Sequence, residues 1–347
     1  MAVGERKLAQ PRTPLTPAAV PPRLDRAVEL HFKGDGGLAN LHRVGGWIAD
    51  QVVARSAPGS RVAVWTGTGF LSNICEVAAG LVDLTAATPT CAVAVARDGR
   101  QPGVEAMPSL QALGVIPQFD RLVCAVRRDT GLTSFADIVE NKFPLRISAA
   151  RDDGESWVGR GSRVLMEGLG IDAATLEDWG GRYIDFTDAT AAPAGAVWTD
   201  RIFGALCAGE ADAVIMEAIM VPVWQELAVD PGLTFLSLDP ATAERIEVTT
   251  GWPTAEVPAG YFPGQVEPVT ALEFSDFVVV CRADLPEDVA HLIAWSLGET
   301  RSVFEAQYHH IPPERSPVTY PLDPIVMGST TRIPLHPGAA KYYDSLA

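Results

Sequence analysis

The chain has 347 residues, with 27 Lys and Arg against 43 Asp and Glu, a formal charge of −16 and an isoelectric point near 4.8. So acidic a balance excludes the clustered cations that nucleic-acid phosphates or anionic lipid surfaces demand, and no apolar run reaches the ~20 residues of a membrane-inserted helix. With 47% hydrophobic and 20% charged residues, a substantial core is available, and the length predicts about two domains.

Residues 1–27 carry Pro11, Pro14, Pro17, Pro21 and Pro22, each of which removes a backbone donor and disfavours helix, so an extended arm is expected. The arm lacks the apolar centre of a secretory signal, and the expected location is cytoplasmic. Val28, Leu30 and Phe32 then alternate as a strand does. Gly34-Asp35-Gly36-Gly37 breaks the chain, and Leu38, Leu41, Val44, Ile48 and Val52 recur at helical spacing. Residues 61–65 predict a second strand, Thr66-Gly67-Thr68-Gly69 a turn, and 72–79 a helix. Strands are expected at 84–88, 122–126 and 145–149.

The second half repeats this alternation. A helix over 156–168 ends at Gly168 and Gly170; a strand at 183–186, a helix at 200–208, a very apolar strand at 213–216, a helix at 221–228 and a strand at 235–238 follow. Residues 277–281 read as a buried strand, 286–308 as a long amphipathic helix, and the Pro- and Gly-rich tail 321–347 ends in a short helix with Tyr342 and Tyr343. Strand, small-residue loop, helix units imply an α/β fold: two lobes with mostly parallel sheets and a central cleft. The divisions expected are an arm at 1–27, a first lobe from 28–125 and 260–347, and a second lobe from 126–259. Cys75, Cys91, Cys124, Cys207 and Cys281 each lie in an apolar run, the pattern of buried, reduced thiols.

Two glycine loops, 34–37 and 66–69, each join a strand to a helix. Neither has the third glycine of a dinucleotide loop or the Lys of a phosphate loop, and no cofactor is expected. Together on one sheet edge they favour a carboxylate, because a glycine turn lets a ligand approach exposed N–H groups. Four stretches then carry a resemblance: GDGGLANLHRVGGWIADQV (34–52), TGTGFLSNICEVAAGLVDLTAATP (66–89), GYFPGQ (260–265) and IPLHPGAAKYYDS (333–345). Over about 28–347 the chain resembles the TAXI-family solute-binding subunits of TRAP transporters. That resemblance implies the type 2 periplasmic-binding-protein fold, a small organic acid as ligand and membrane transporter subunits as partners. The chain departs from the family at Arg151-Asp152-Asp153-Gly154-Glu155-Ser156-Trp157, where the family's loop is rich in Gly and Ser.

The candidate ligand residues follow from these loops. Asn40, Thr66, Thr68, Ser72, Asn73 and Thr90 offer hydrogen bonds, or else act as caps and turn formers. Asp152, Asp153 and Glu155 suit a cation, an amine or a shared proton, or else cap a helix. His42 lies on the first helix near the cleft. Arg160 and Arg163 share a helix face, where a clamp on a carboxylate competes with plain solvation. Glu217 ends an apolar strand on the cleft side, with Trp224 beyond it. Tyr261 and Phe262 supply an apolar wall, and His336 ties down the tail.

Two functions fit. One is a receptor that closes over an amino-acid-like or hydroxy-acid-like carboxylate. The other is a cytoplasmic lyase on the same scaffold, a decarboxylase, desulfinase or dehydratase acting on an aromatic or cyclic acid. There His42, Glu155 and Glu217 would be the acid/base candidates, with Cys75 or Cys91 as outside choices.

Overall fold

The computed structural model describes residues 21–36, 40–186, 198–219, 221–313 and 316–346. Most of the expected arm, together with Gly37 and Leu38, therefore lies outside the described residues. The chain begins with β1 (Glu29–Lys33), α1 (Asn40–Ala54), β2 (Arg61–Trp65), α2 (Leu71–Ala78), β3 (Leu84–Ala87), α3 (Thr90–Arg97) and β4 (Leu110–Ile116). It crosses to β5 (Arg121–Arg127), α4 (Phe135–Glu140), β6 (Arg146–Ala150), α5 (Trp157–Gly168), α6 (Ala173–Asp178) and β7 (Arg182–Phe186). Then come α7 (Trp198–Cys207), β8 (Ala213–Glu217), α8 (Val221–Leu227), β9 (Leu233–Leu236) and α9 (Pro240–Thr250). After β10 (Thr254–Val257) and β11 (Val269–Glu273) the chain returns to β12 (Phe277–Arg282). It ends in α10 (Glu287–Glu299), α11 (Arg301–Glu305), α12 (Pro324–Ser329) and α13 (Pro337–Asp344).

The first sheet runs β2-β1-β3-β12-β4 and the second β10-β11-β5-β8-β6-β7, with β9 against the later half of β5. Two α/β lobes result, as the sequence implies. Parallel pairing holds for β1 with β2 and β3, and for β6 with β7 and β8. β12 and β5, the strands entered by crossing between lobes, run antiparallel to β3, β4 and β8, so both sheets are mixed rather than mostly parallel. The crossings lie at 117–120 and 274–276, because β5 pairs with β8, β9 and β11 inside the second sheet. The divisions expected at 125/126 and 259/260 fall instead inside β5 and between β10 and β11. Among the described residues no helix is long and apolar enough to cross a membrane.

Packing explains the local departures. α1 lies close on β1 because Gly45 has no Cβ; one there would meet the Phe32 ring at 2.5 Å. The helix expected over 286–308 breaks at Thr300, whose hydroxyl accepts a 2.9 Å bond from Trp47 Nε1. β9 begins two residues earlier than expected, and β4, β10, β11 and α9 carried no sequence expectation. The tail joins the first lobe as a tie: Ala112 N–H donates to Pro334 O and His336 N–H to Ala112 O, both at 2.8 Å. His336 Nδ1 accepts Gly338 N–H at 3.1 Å and so caps α13, the structural role expected of it. All five cysteines are free, but only Cys91, Cys124 and Cys281 are buried; Cys75 is half-buried and Cys207 exposed on the last turn of α7.

Candidate functional site

In a parallel unit the strand C-termini share one edge, and the loops there face whatever the sheet opposes. The glycine loops after β1 and β2 meet at that edge: Gly34 N–H donates to Trp65 O at 2.9 Å and Gly67 N–H to Asp35 O at 3.1 Å. Gly67 is required here, since a Cβ would lie 2.6 Å from Asn73 Oδ1. The opposing edge carries the loop after β6, Glu217 at the end of β8, and the two crossings. The cleft is therefore the seam between these two edges. Two surface concavities of about 270 and 390 Å³, around Asp83 and Arg282 and around Arg127 and Asp212, lie at the far edges of the sheets.

The mouth of the seam brings three expected residues together. Thr68 Oγ1 donates to Glu155 at 2.6 Å, Ser72 Oγ donates at 2.8 Å, and Ser72 N–H spans both carboxylate oxygens at 2.8 and 3.0 Å. Glu155 belongs to the second lobe, so these bonds cross the cleft.

The other loop candidates serve the loops themselves. Asn73 is fully buried; its amide donates to Gly34 O at 2.8 Å and Thr85 Oγ1 at 3.2 Å, and its Oδ1 accepts Thr68 N–H at 3.3 Å. Asn40 Oδ1 accepts the Tyr308 hydroxyl at 2.6 Å, a tie to the far side of the lobe. Thr90 is buried and bonded to the second crossing through Ser275 O and Asp276 O. His42 packs behind Gly34, its Nδ1 buried and unpartnered. Asp153 Oδ1 accepts Glu155 N–H and Ser156 N–H at 2.9 Å each, shaping the turn before α5. Asp152 pairs with Arg160 at 3.3 Å, and Arg163 with Asp185 at 2.8 Å over the Tyr183 ring. Both arginines are thus paired with carboxylates of their own lobe.

The floor of the seam is polar and was largely missed. Asp120 and Glu217, 0% and 8% exposed, bring their carboxyl groups together at the floor, where two like charges favour a proton held by the pair. Burial, then the neighbouring Glu217 charge, pushes Asp120 well above the ordinary carboxylate range, although Arg121 and Ile219 N–H groups oppose this. Trp224 Nε1 donates to Glu217 O at 2.8 Å and so holds the end of β8 in place. Gln118 Nε2 reaches Asp120 at 3.4 Å while its Oε1 has no partner, although Gln118 is only 3% exposed. Thr88 Oγ1 at the end of β3 and Arg121 Nε are likewise buried and unpartnered. Arg121 bonds Ser275 Oγ and lies over the Phe119 ring at 4.4 Å; Tyr261 packs on that ring at 5.5 Å. Tyr261 thus lies beside the floor, whereas Phe262 is buried against Phe235 in the second lobe's core. Burial raises Asp276 to about 6 despite its bond from Gln118 N–H.

One signal could have found this floor. Gln118, Asp120 and Arg121 form a polar PQFDR stretch between two runs apolar enough to be central strands, and buried polar groups there call for a reason. Among the described residues no group of three or more His, Cys, Asp or Glu is arranged to hold a metal.

The NMT1-like family matches residues 41–345. No curated protein matches the sequence. Among solved structures, the chain is similar to MatC from Rhodopseudomonas palustris with bound malate, at 12% identity and a TM-score of 0.48, covering 92% of this chain and 99% of that one. It is also similar to a ligand-free TctC solute binding protein from Polaromonas, at 11% identity and 0.48, covering 92% and 98%. The periplasmic aliphatic sulphonate binding protein SsuA from Escherichia coli is 14% identical with a TM-score of 0.41, covering 91% and 78%.

Proposed function

The chain belongs to the NMT1-like family, and on that premise we propose that it binds a small polar organic acid in the cleft between its two lobes. The observation that carries this reading is the floor. Gln118 Oε1, Thr88 Oγ1 and Arg121 Nε are buried polar atoms without partners, gathered where the crossings meet the strand ends. Unsatisfied buried polar groups are costly in a folded chain, and a ligand that supplies their partners recovers that free energy. Arg121 suits a carboxylate. Gln118 Oε1 and the Asp120–Glu217 pair suit a donor, as the amine or hydroxyl of an amino or hydroxy acid provides. The apolar body of such a ligand would lie against Phe119 and Tyr261.

A thermal-shift panel of amino acids, hydroxy acids, dicarboxylates and sulfonates tests this. A ligand at about 100 times its dissociation constant adds about 2.7 kcal/mol of stability. Gln118→Leu and Arg121→Gln should each remove most of that gain. A panel without a hit, or hits indifferent to both variants, refutes the reading. The resemblance to TAXI receptors supports delivery of the ligand to membrane transporter subunits.

The second reading, a lyase on this scaffold, is favoured by the carboxyl pair. A carboxyl kept protonated by burial and a like neighbour is equipped to act as a general acid. Asp120 and Glu217 would carry that role, in place of His42 and Glu155. Incubation of each panel hit with the protein, followed by mass spectrometry, separates the two: a receptor returns the compound intact. Cell fractionation adds an independent arm, since a receptor for external solute must be exported and a cytoplasmic lyase must not.

A further inference from the structure

α2 begins without a cap of its own. Phe70 stands at its N-cap and offers no side-chain acceptor, so the exposed amides of its first turn need acceptors from elsewhere. The acceptor for Ser72 comes from the other lobe, 83 residues along the chain.

We propose that Glu155 is a latch that fastens the two lobes together. Its carboxylate takes four short contacts from Thr68 and Ser72, at 2.6 to 3.0 Å, all of them across the seam. Hydrogen bonds to an ionised acceptor are roughly twice as strong as neutral ones. The latch is held in position on its own side: Glu155 N–H and Ser156 N–H both bond Asp153 Oδ1, and Ser156 Oγ caps α5. A second tie lies two residues on, where Trp157 packs edge-on to Phe70 at 6.2 Å and donates to Gln101 at 3.2 Å.

Release is chemically simple. Glu155 is half-buried at the mouth, so water replaces its partners as the lobes part, and Ser72 N–H is hydrated rather than left unpaired. The latch therefore biases an open–closed equilibrium without freezing it, and a ligand reaches the floor only while it is undone. The fastening itself does not depend on the ligand reading; only its gating role rests on that reading.

Small-angle scattering of the full chain tests the proposal. Glu155→Ala should raise the open population by about tenfold, the equilibrium change expected from losing charge-assisted bonds. Thr68→Val with Ser72→Ala should open the cleft less, because the Ser72 N–H still reaches the carboxylate. Added to that double variant, Glu155→Ala should open the cleft by less than it does alone, as coupled partners require. A Glu155→Ala profile identical to wild type overturns the latch, whatever the ligand panel returns. Effects of Glu155→Ala and of the Thr68 and Ser72 pair that simply add overturn Thr68 and Ser72 as its partners. A failed ligand panel beside an opened Glu155→Ala variant refutes the ligand reading and leaves the latch standing.

Discussion

Asp276→Asn should stabilise the protein at neutral pH and flatten its pH dependence. Asp276 sits in the second crossing with φ of 72°, a left-handed conformation that Asn tolerates well. Its Oδ1 accepts Gln118 N–H at 2.9 Å, and an amide oxygen can keep that bond. Burial chiefly, then the charge of Glu273, raises its carboxyl from 3.8 to about 6, against the pull of the Gln118 amide, Arg332 and Arg121. Between those values the folded chain keeps a proton that the unfolded chain has released. Stability therefore falls as pH rises through this window and stays lowered above it. At about 1.4 kcal/mol per pH unit, the loss reaches about 3 kcal/mol near pH 7.5 and about 1 kcal/mol near pH 4.5. Urea unfolding of both proteins across this range reads the difference directly. The variant should gain up to about 3 kcal/mol at the upper end and much less at the lower. A variant no more stable than wild type near neutrality, or a gain that does not shrink in acid, refutes the argument.

Trp224→Ala should cost about 3–5 kcal/mol, because a fully buried indole packed on Phe203, Phe235 and Phe262 is removed. Trp224→Phe should cost about 1–3 kcal/mol by leaving Glu217 O without its donor; equal unfolding midpoints for the two variants would show that the hydrogen bond, not the volume, decides. Gly298→Ala places a Cβ 1.9 Å from the Tyr342 hydroxyl, and a stability lowered by about 1–3 kcal/mol is expected; an unchanged stability contradicts the packing of α10 on α13. Thiol titration should count five groups after denaturation, with Cys207 reacting first in the native protein. Burial pushes Cys91 and Cys124 up to about 12, so native labelling of either as fast as Cys207 would be inconsistent with the fold.

Periodicity alone located most of the framework. Alternation at Val28, Leu30 and Phe32, and the 3.6-residue recurrence from Leu41 to Val52, are local consequences of which face meets the core, so they survive without tertiary knowledge. So does the pairing of the two glycine loops, since adjacent parallel strands must end on one edge. Strand direction is different. Nothing local to Phe277–Arg282 or Arg121–Arg127 says whether the chain enters a sheet from the opposite lobe, and that entry is what makes both sheets mixed. The site divides in the same way. Thr68, Ser72, Glu155, Glu217 and Tyr261 were recognisable from loop position, strand end or family likeness. That Glu155 would bond Thr68 and Ser72, and Asp120 would meet Glu217, depends on segments 83 to 97 residues apart meeting across two crossings. Asn73 shows the converse: its place in a ligand-like loop was readable, but only burial reveals that its donors are consumed by Gly34 and Thr85. Sequence pattern decides which side chains reach an edge. Only the folded chain decides which of them find each other there, because that distance is set by packing between elements remote along the chain.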